Sequence, residues 1–215
     1  MISVWIEQID GQWYGVAHHE GRLVATATGA DREDAARAVR ASLPRGREHR
    51  MVEEGSVYAL GVVRLLARLE AGREEAAPSF ELCPDCVGEP LASVARVASM
   101  IPRGFVATYG GIAAAAGTEA RVVGNVMAAN PLYPIIPCHR VVGADLSLVG
   151  YTGRRGAPAL RAKLERLRAE ARGFTEARTI TAPLGAADLT VYPVERVIAK
   201  AIRDGLDPGA QLAMW

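Results

Sequence analysis

From Ile2 to Ile9 apolar and polar side chains alternate, with Ile2, Val4 and Ile6 against Ser3, Trp5 and Glu7, and the alternation predicts a β-strand. Asp10-Gly11 is a hairpin turn signal. Residues 13–17 and 22–28 read as two further strands, joined through His19-Glu20-Gly21. Asp31 is a good N-cap, with Asp34 three residues on, for a helix over 32–43 that stops before Pro44. Val57, Leu60, Val63, Leu66 and Leu69 keep helical spacing and predict a helix over 57–69. Residues 74–90 are polar, punctuated by Pro78, Pro84 and Pro90, and read as a linker.

A second set of elements follows. Residues 91–100 form a short helix ending before Pro102, and Phe105 to Thr108 lead into Tyr109-Gly110-Gly111. An alanine-rich helix over 112–116 is broken by Gly117; Thr118 caps the next helix, 119–129, which ends at Asn130-Pro131. Two short helices joined by a glycine-containing turn fit a helix-turn-helix, and equally any αα-hairpin. Residues 132–136 are a short apolar extended run between prolines, and Val141-Val142 is another, ahead of a turn at Gly143-Ala144-Asp145. Leu160, Leu164 and Leu167 mark a further helix. Beyond Phe174 the chain has apolar stretches, 191–201 among them, but no readable motif. The expected boundaries are an α/β domain over 1–82, a linker over 83–90, a second domain over 91–173 and an extension over 174–215.

Composition narrows the class. The 215 residues are 50% hydrophobic and 23% charged, which excludes a disordered or fibrous chain. No apolar run approaches the roughly 20 residues that span a bilayer, and the start, MISVWIEQID, lacks a basic leader with a long apolar stretch. The expectation is a soluble protein of the cytoplasm with no membrane partner. Net charge is +1, but residues 93–172 hold 11 Lys+Arg against 4 Asp+Glu, a net of +7, leaving 14 against 20, a net of −6, for the rest. A basic module beside an acidic one suggests an anionic partner, unless the excess is only the solvated helix over 160–172.

The informative stretch is Pro137-Cys138-His139-Arg140-Val141. Proline suits the first turn of a helix. A cysteine there faces unpaired amides and the positive dipole end, which favour thiolate. His139 could supply a base. Adjacent residues point apart on a helix, so a bridging water is easier than direct contact.

The segment 130–142, Asn-Pro-Leu-Tyr-Pro-Ile-Ile-Pro-Cys-His-Arg-Val-Val, resembles the active-site signature of the O6-alkylguanine-DNA alkyltransferases, the methylated-DNA–protein-cysteine methyltransferases. The resemblance extends from Leu91 to about Arg172. It implies a small N-terminal ribonuclease-H-like α/β domain and a mostly helical, winged-helix-like C-terminal domain with a helix-turn-helix and active-site loop. It also implies DNA repair by irreversible, single-turnover alkyl transfer from O6-alkylguanine, and from O4-alkylthymine, in double-stranded DNA. No cofactor and no metal are implied, and the expected state is a monomer. Cys138 matches the acceptor and His139 the histidine that takes the thiol proton through a water. The glutamate that orients it is Glu165 by ungapped counting from Tyr151. It is Glu170 by the lysine–leucine–glutamate spacing from Lys163 and Leu167, the preferred reading. Asn130 matches the hinge asparagine and Tyr109 the tyrosine that helps rotate the base and protonates the leaving guanine. Arg121 matches the arginine finger that replaces the extruded nucleotide. Arg140 is grouped with the DNA-binding residues. Ala120, Gly124 and Ala128, at i, i+4 and i+8, make a thin face suited to a narrow groove, or to tight helix packing. Tyr151, Thr152 and Gly153 match the loop lining the guanine pocket, with Met127 and Val141 as apolar walls. The tail beyond Phe174 is longer than the family leads one to expect.

Weaker signals remain. Cys83-Pro84-Asp85-Cys86 has CxxC spacing. Zinc would need two more ligands, a disulfide is the alternative, and two unpaired thiols are the default. Asp10, Asp31 and Asp34 could suggest a metal nuclease, but turn and cap roles explain all three. The rival to alkyl transfer is a non-catalytic binder of alkylated DNA; such relatives replace the acceptor cysteine, which is present here. A transcription regulator and a cysteine hydrolase are further alternatives.

Overall fold

The computed structural model describes residues 1–73, 80–182 and 187–206. Contacts divide the chain into two units. One takes Met1–Ala95 together with Asn130–Ile136, the other Arg96–Ala129 and everything from Pro137 on. This division differs from the boundaries expected from sequence. The N-terminal unit reaches past the expected linker, it includes seven residues from the middle of the chain, and the tail joins the second unit.

In the first unit, β1 (Ile2–Ile9), β2 (Gln12–His19) and β3 (Arg22–Gly29) form an antiparallel meander, and β4 (His49–Met51) adds parallel to β1, giving the order β3-β2-β1-β4. The predicted turns hold: Asp10-Gly11 and Glu20-Gly21 both have positive φ at both residues, as two-residue hairpins require. Helix α1 (Arg32–Ala41) starts at Asp31, whose carboxylate accepts from the Asp34 N–H, and it buries Ala35, Ala36 and Val39. Asp34 itself pairs with Arg37. The helix lies close on the sheet because of glycine: a Cβ at Gly29 would stand 2.2 Å from the Ala35 nitrogen.

Helix α2 (Val57–Glu70) buries Ala59, Val62, Val63, Leu65 and Leu66, whereas Val57 is 92% exposed. Of the predicted stripe Val63 and Leu66 are buried and Val57 is not; the helix is apolar around most of its circumference, so the packed face overlaps that stripe and takes in Ala59, Val62 and Leu65 as well. Cys83 and Cys86 form a disulfide, not two unpaired thiols. A tight turn, with the Cys86 N–H donating to the Cys83 carbonyl, brings their Cα atoms to 5.2 Å, within bridging range. Among the described residues no group of three or more His, Cys, Asp or Glu side chains is placed to hold a metal ion. Helix α3 (Glu89–Ala98) begins inside the expected linker.

In the second unit, β5 (Phe105–Thr108) runs into α4 (Tyr109–Ala115), and α5 (Ala120–Ala129) follows a turn at Gly117. Helix α4 starts at Tyr109, not at 112, because Thr108 caps it by accepting from the Gly111 N–H. After one 3₁₀ turn, Cys138–Arg140, come β6 (Val141–Val142) and α6 (Ala157–Arg168). The tail then supplies β7 (Arg178–Ile180), β8 (Leu189–Pro193) and α7 (Val194–Arg203). The sheet order is β6-β5-β8-β7, with β5 and β6 parallel and the other pairs antiparallel. The tail is thus an inner strand and a packed helix of this unit. Among the described residues no helix is long and apolar enough to cross a membrane.

Candidate active site around Cys138

Cys138 opens the 3₁₀ turn, which is closed by the Arg140 N–H on the Pro137 carbonyl at 2.8 Å. The turn ends at once because Val141 and Val142 pair with Ala107 and Thr108 of β5. The expected helical first turn is therefore a single turn with little dipole behind it. Cys138 is buried, and it lines a cavity of about 470 Å³, in the range of small-ligand sites. Tyr109 of α4, six residues of α5 (Ala120, Arg121, Gly124, Asn125, Met127 and Ala128) and residues 149–155 complete the lining.

The cavity loop is shaped by local bonds. Tyr151 and Arg154 exchange two backbone hydrogen bonds, 2.7 and 2.9 Å. Thr152 and Gly153 between them have positive φ, and the Thr152 hydroxyl donates to the Tyr151 carbonyl at 2.8 Å. Beneath the loop lies Lys163 of α6, fully buried. Its ammonium donates to the carbonyls of Val141, Gly150 and Val149, which ties loop to strand. Burial lowers the Lys163 pKa to about 8, against the pull of negative charge at Cys138.

His139 points away from the cavity. Its Nε2 lies 2.9 Å from Glu170 Oε1, and both side chains are buried. Arg140 grips the same carboxylate with two bonds, Nε to Oε2 at 2.9 Å and Nη2 to Oε1 at 2.8 Å, and donates through Nη1 to the Ile101 carbonyl. Burial pushes the Glu170 carboxyl up, but the hydrogen bonds and charges of His139 and Arg140 outweigh it and bring the pKa down to about 2. Burial, chiefly, lowers the His139 pKa, although Glu170 opposes it. An ionised Glu170 can only accept, so Nε2 carries the proton, and neutral His139 keeps its lone pair on Nδ1. That Nδ1 is buried and has no hydrogen-bond partner among the described residues. Burial, and after it the nearby Cys138, raise the Tyr109 pKa, with Arg155 opposing; the Tyr109 hydroxyl donates to the Val149 carbonyl at 3.4 Å.

The expected site residues fall into three groups. Cys138, Tyr109, Ala120, Arg121, Gly124, Met127, Tyr151, Thr152 and Gly153 share the cavity. His139 and Glu170 form the buried pair behind it; Glu165 is exposed. Two assignments are corrected. Arg140 turns inward, where Glu170 and the Ile101 carbonyl take its donors, because a buried carboxylate needs a cation. Val141 does not line the cavity: its side chain is fully buried and its backbone is held by β5 and Lys163. Asn130 lies outside the cavity lining, where its amide donates to the Ile136 carbonyl at 2.9 Å and its carbonyl oxygen accepts from Leu132. Sequence reasoning gives no site role to Lys163, Arg154 or Arg155. A signal for Lys163 exists all the same: only two of the 25 basic residues are lysine, and a compact ammonium fits three converging carbonyls better than a planar fork.

Residues 91–172 match the family described as 6-O-methylguanine DNA methyltransferase, DNA binding domain. The methylated-DNA–protein-cysteine methyltransferase of Pyrobaculum aerophilum is 60% identical over 53 residues, 25% of this chain and 36% of that protein. The Candida albicans protein of the same name is 51% identical over 51 residues, 24% and 29% of the two chains. These matches span about a third of the relatives' length. The crystal structure of the O6-methylguanine-DNA methyltransferase of Pyrococcus kodakaraensis is similar with a TM-score of 0.52 and 28% identity, covering 78% of this chain and 99% of that one. That of Mycobacterium tuberculosis OGT in complex with DNA gives 0.53 and 25%, covering 79% and 94%. Signature, cavity and likeness point the same way: residues 91–172 are similar to the DNA-binding domain of the 6-O-methylguanine DNA methyltransferases, and the fold is similar to that of solved O6-methylguanine-DNA methyltransferases.

Proposed function

We propose that this protein repairs double-stranded DNA by transferring the alkyl group of O6-alkylguanine, or of O4-alkylthymine, to its own Cys138, once per molecule. The observation that carries the reading is the arrangement at the cavity wall. A cysteine faces a cavity of about 470 Å³, and its neighbour is a neutral histidine whose buried Nδ1 has no partner among the described residues and whose other nitrogen is fixed by an ionised glutamate.

The step follows from those atoms. The Cys138 proton passes through a water to His139 Nδ1, and the sulfur attacks the alkyl carbon. A carbon–sulfur bond forms as the carbon–O6 bond breaks, and its electron pair goes to the guanine. The Tyr109 hydroxyl, hydrogen-bonded at the cavity and poised near Cys138, protonates the departing base; the proton on His139 returns to the phenolate through solvent. The imidazolium is stabilised by Glu170, whose carboxylate stays ionised. The thioether is not reversed, so turnover ends there.

The base must leave the helix to reach the cavity, at a cost of a few kcal/mol. Arg121, exposed at the mouth, fills the vacated stack. Ala120 and Ala128 are exposed and a Cβ on Gly124 would meet nothing within 4 Å, which supports the thin stripe as an open face for the minor groove, not a packing seam. Arg154 and Arg155 at the same mouth reach the flanking phosphates. In the first unit the order β3-β2-β1-β4, with only β4 parallel, supports a ribonuclease-H-like sheet; α4 and α5 serve as the helix-turn-helix of a winged-helix-like domain.

The test is incubation with duplex DNA containing O6-methylguanine, and separately with O6-benzylguanine, followed by intact and peptide mass. One alkyl adduct per molecule on Cys138 is expected. Lesion binding without an adduct would move the protein to the non-catalytic binders.

A further inference from the structure

The residues after Arg172, beyond the family match, are built into the site. Glu195, in the first turn of α7, accepts through Oε1 from three successive backbone N–H groups, those of Arg172, Gly173 and Phe174. These lie just beyond Glu170 in the chain. Phe174 then stacks on Phe105 with ring centres 4.9 Å apart, and the Arg178 guanidinium covers both rings at 4.6 and 5.0 Å. The Glu170 carboxylate is met by Gly104, whose N–H lies 3.5 Å from Glu170 Oε2. Gly104 is held from the tail as well, because its carbonyl accepts from the Val194 N–H at 3.0 Å. A Cβ at Gly104 would meet the Phe174 ring at 2.9 Å, so ring and strand leave no slack. Glu170 lies beyond the last turn of α6, where helix bonds alone do not fix it.

We propose that Glu195 is a positioning residue, which fixes the backbone after Glu170 so that its carboxylate stays on His139, and that the tail strands and helix are a working part of the transfer site. The inference rests on His139–Glu170 acting as the relay of the proposed function.

The test uses the full chain, reads transfer from free O6-benzylguanine, which needs no DNA, and reads affinity for unmodified duplex beside it. Glu195→Ala is expected to slow transfer about tenfold, a typical scale for sub-ångström misplacement of a reacting group, with duplex affinity changed less than about twofold. Glu195→Gln keeps an acceptor oxygen and restores most of the rate. In a Glu170→Gln background Glu195→Ala adds almost nothing, because the two act through one group. A Glu195→Ala rate equal to wild type, or the same loss in both backgrounds, overturns the proposal. If Glu195→Ala does not fold, Glu195→Asp, shorter by one methylene, carries the same comparison. Should the wild type make no adduct on Cys138, the proposed function fails instead. The clamp is then read from the His139 ring proton resonance, which moves in Glu195→Ala toward its position in Glu170→Gln if the clamp exists and stays put if it does not.

Discussion

At the scale of single residues, neighbours in sequence are sent in opposite directions. Cys138 looks into the cavity while His139 and Arg140 look into the protein, onto one carboxylate. Removing the sulfur leaves that carboxylate and the cavity shape intact, so Cys138→Ala should abolish alkyl transfer while holding lesion affinity to within about twofold by gel shift. Removing the carboxylate is costlier. Glu170→Ala leaves Arg140 buried without its anion and should cost about 3–5 kcal/mol in denaturant unfolding. The same group sets the acid limit of the fold. Its pKa falls from an ordinary 4.5 to about 2 on folding, so the native state binds fewer protons than the unfolded chain in that window. Its stabilisation is full above about pH 4.5 and is lost as pH falls toward 2. His139, with its pKa lowered by burial, works in the same direction below neutrality. Unfolding midpoints should therefore drop steeply from pH 6 to 3 in the wild type and less steeply in Glu170→Gln. The pairing of Glu170 with His139 is expected only through the family resemblance, whose lysine–leucine–glutamate pattern favours Glu170 over Glu165. The inward turn of Arg140 is not, because an arginine beside a DNA-binding signature reads equally as a phosphate ligand until its carboxylate is placed.

At the scale of elements, local rules read well where one face of an element meets one neighbour. β1 to β3 alternate and turn at Asp10-Gly11 and Glu20-Gly21, and α1 starts at its aspartate cap. The same rules mislead where an element is apolar on more than one side, as in α2, or too short to hold a period, as in β7 and β8. The run 191–201 crosses from strand to helix at Pro193, so neither spacing persists. Helix α5 gives a sharp prediction. Gly124 faces open space, so Gly124→Leu should raise the thermal midpoint through helix propensity, about 0.8 kcal/mol. The same side chain would hold the backbone off a narrow groove. Duplex affinity should fall at least about tenfold by gel shift. A stable variant with undiminished DNA binding would mean that this face is not the one that docks.

At the scale of the whole molecule, charge is unevenly divided along the chain. The segment 93–172 carries +7 and the rest −6, and three arginines, Arg121, Arg154 and Arg155, ring the cavity mouth. If two of these meet phosphates, Arg154→Ala with Arg155→Ala should shallow the slope of log affinity against log salt by about 2, whatever the sequence of the duplex. Arg121→Ala should instead harm reaction with duplex DNA more than reaction with the free base. The charge division and the signature are readable from the chain alone. The connectivity is not, since nothing in 130–136 announces a change of unit.

That change of unit has a practical consequence. Between the arginine-bearing helix and the acceptor cysteine, the polypeptide makes a detour through the N-terminal body. There Pro131 and Tyr133 offer their carbonyls to the backbone N–H and hydroxyl of Thr26. Excising residues 91–172 as a minimal fragment would strip those partners from the detour at one end and Glu195 from the other. The stretch with the clearest ancestry is thus ill suited to stand as an autonomous piece, and engineering should start from a chain that keeps both flanks.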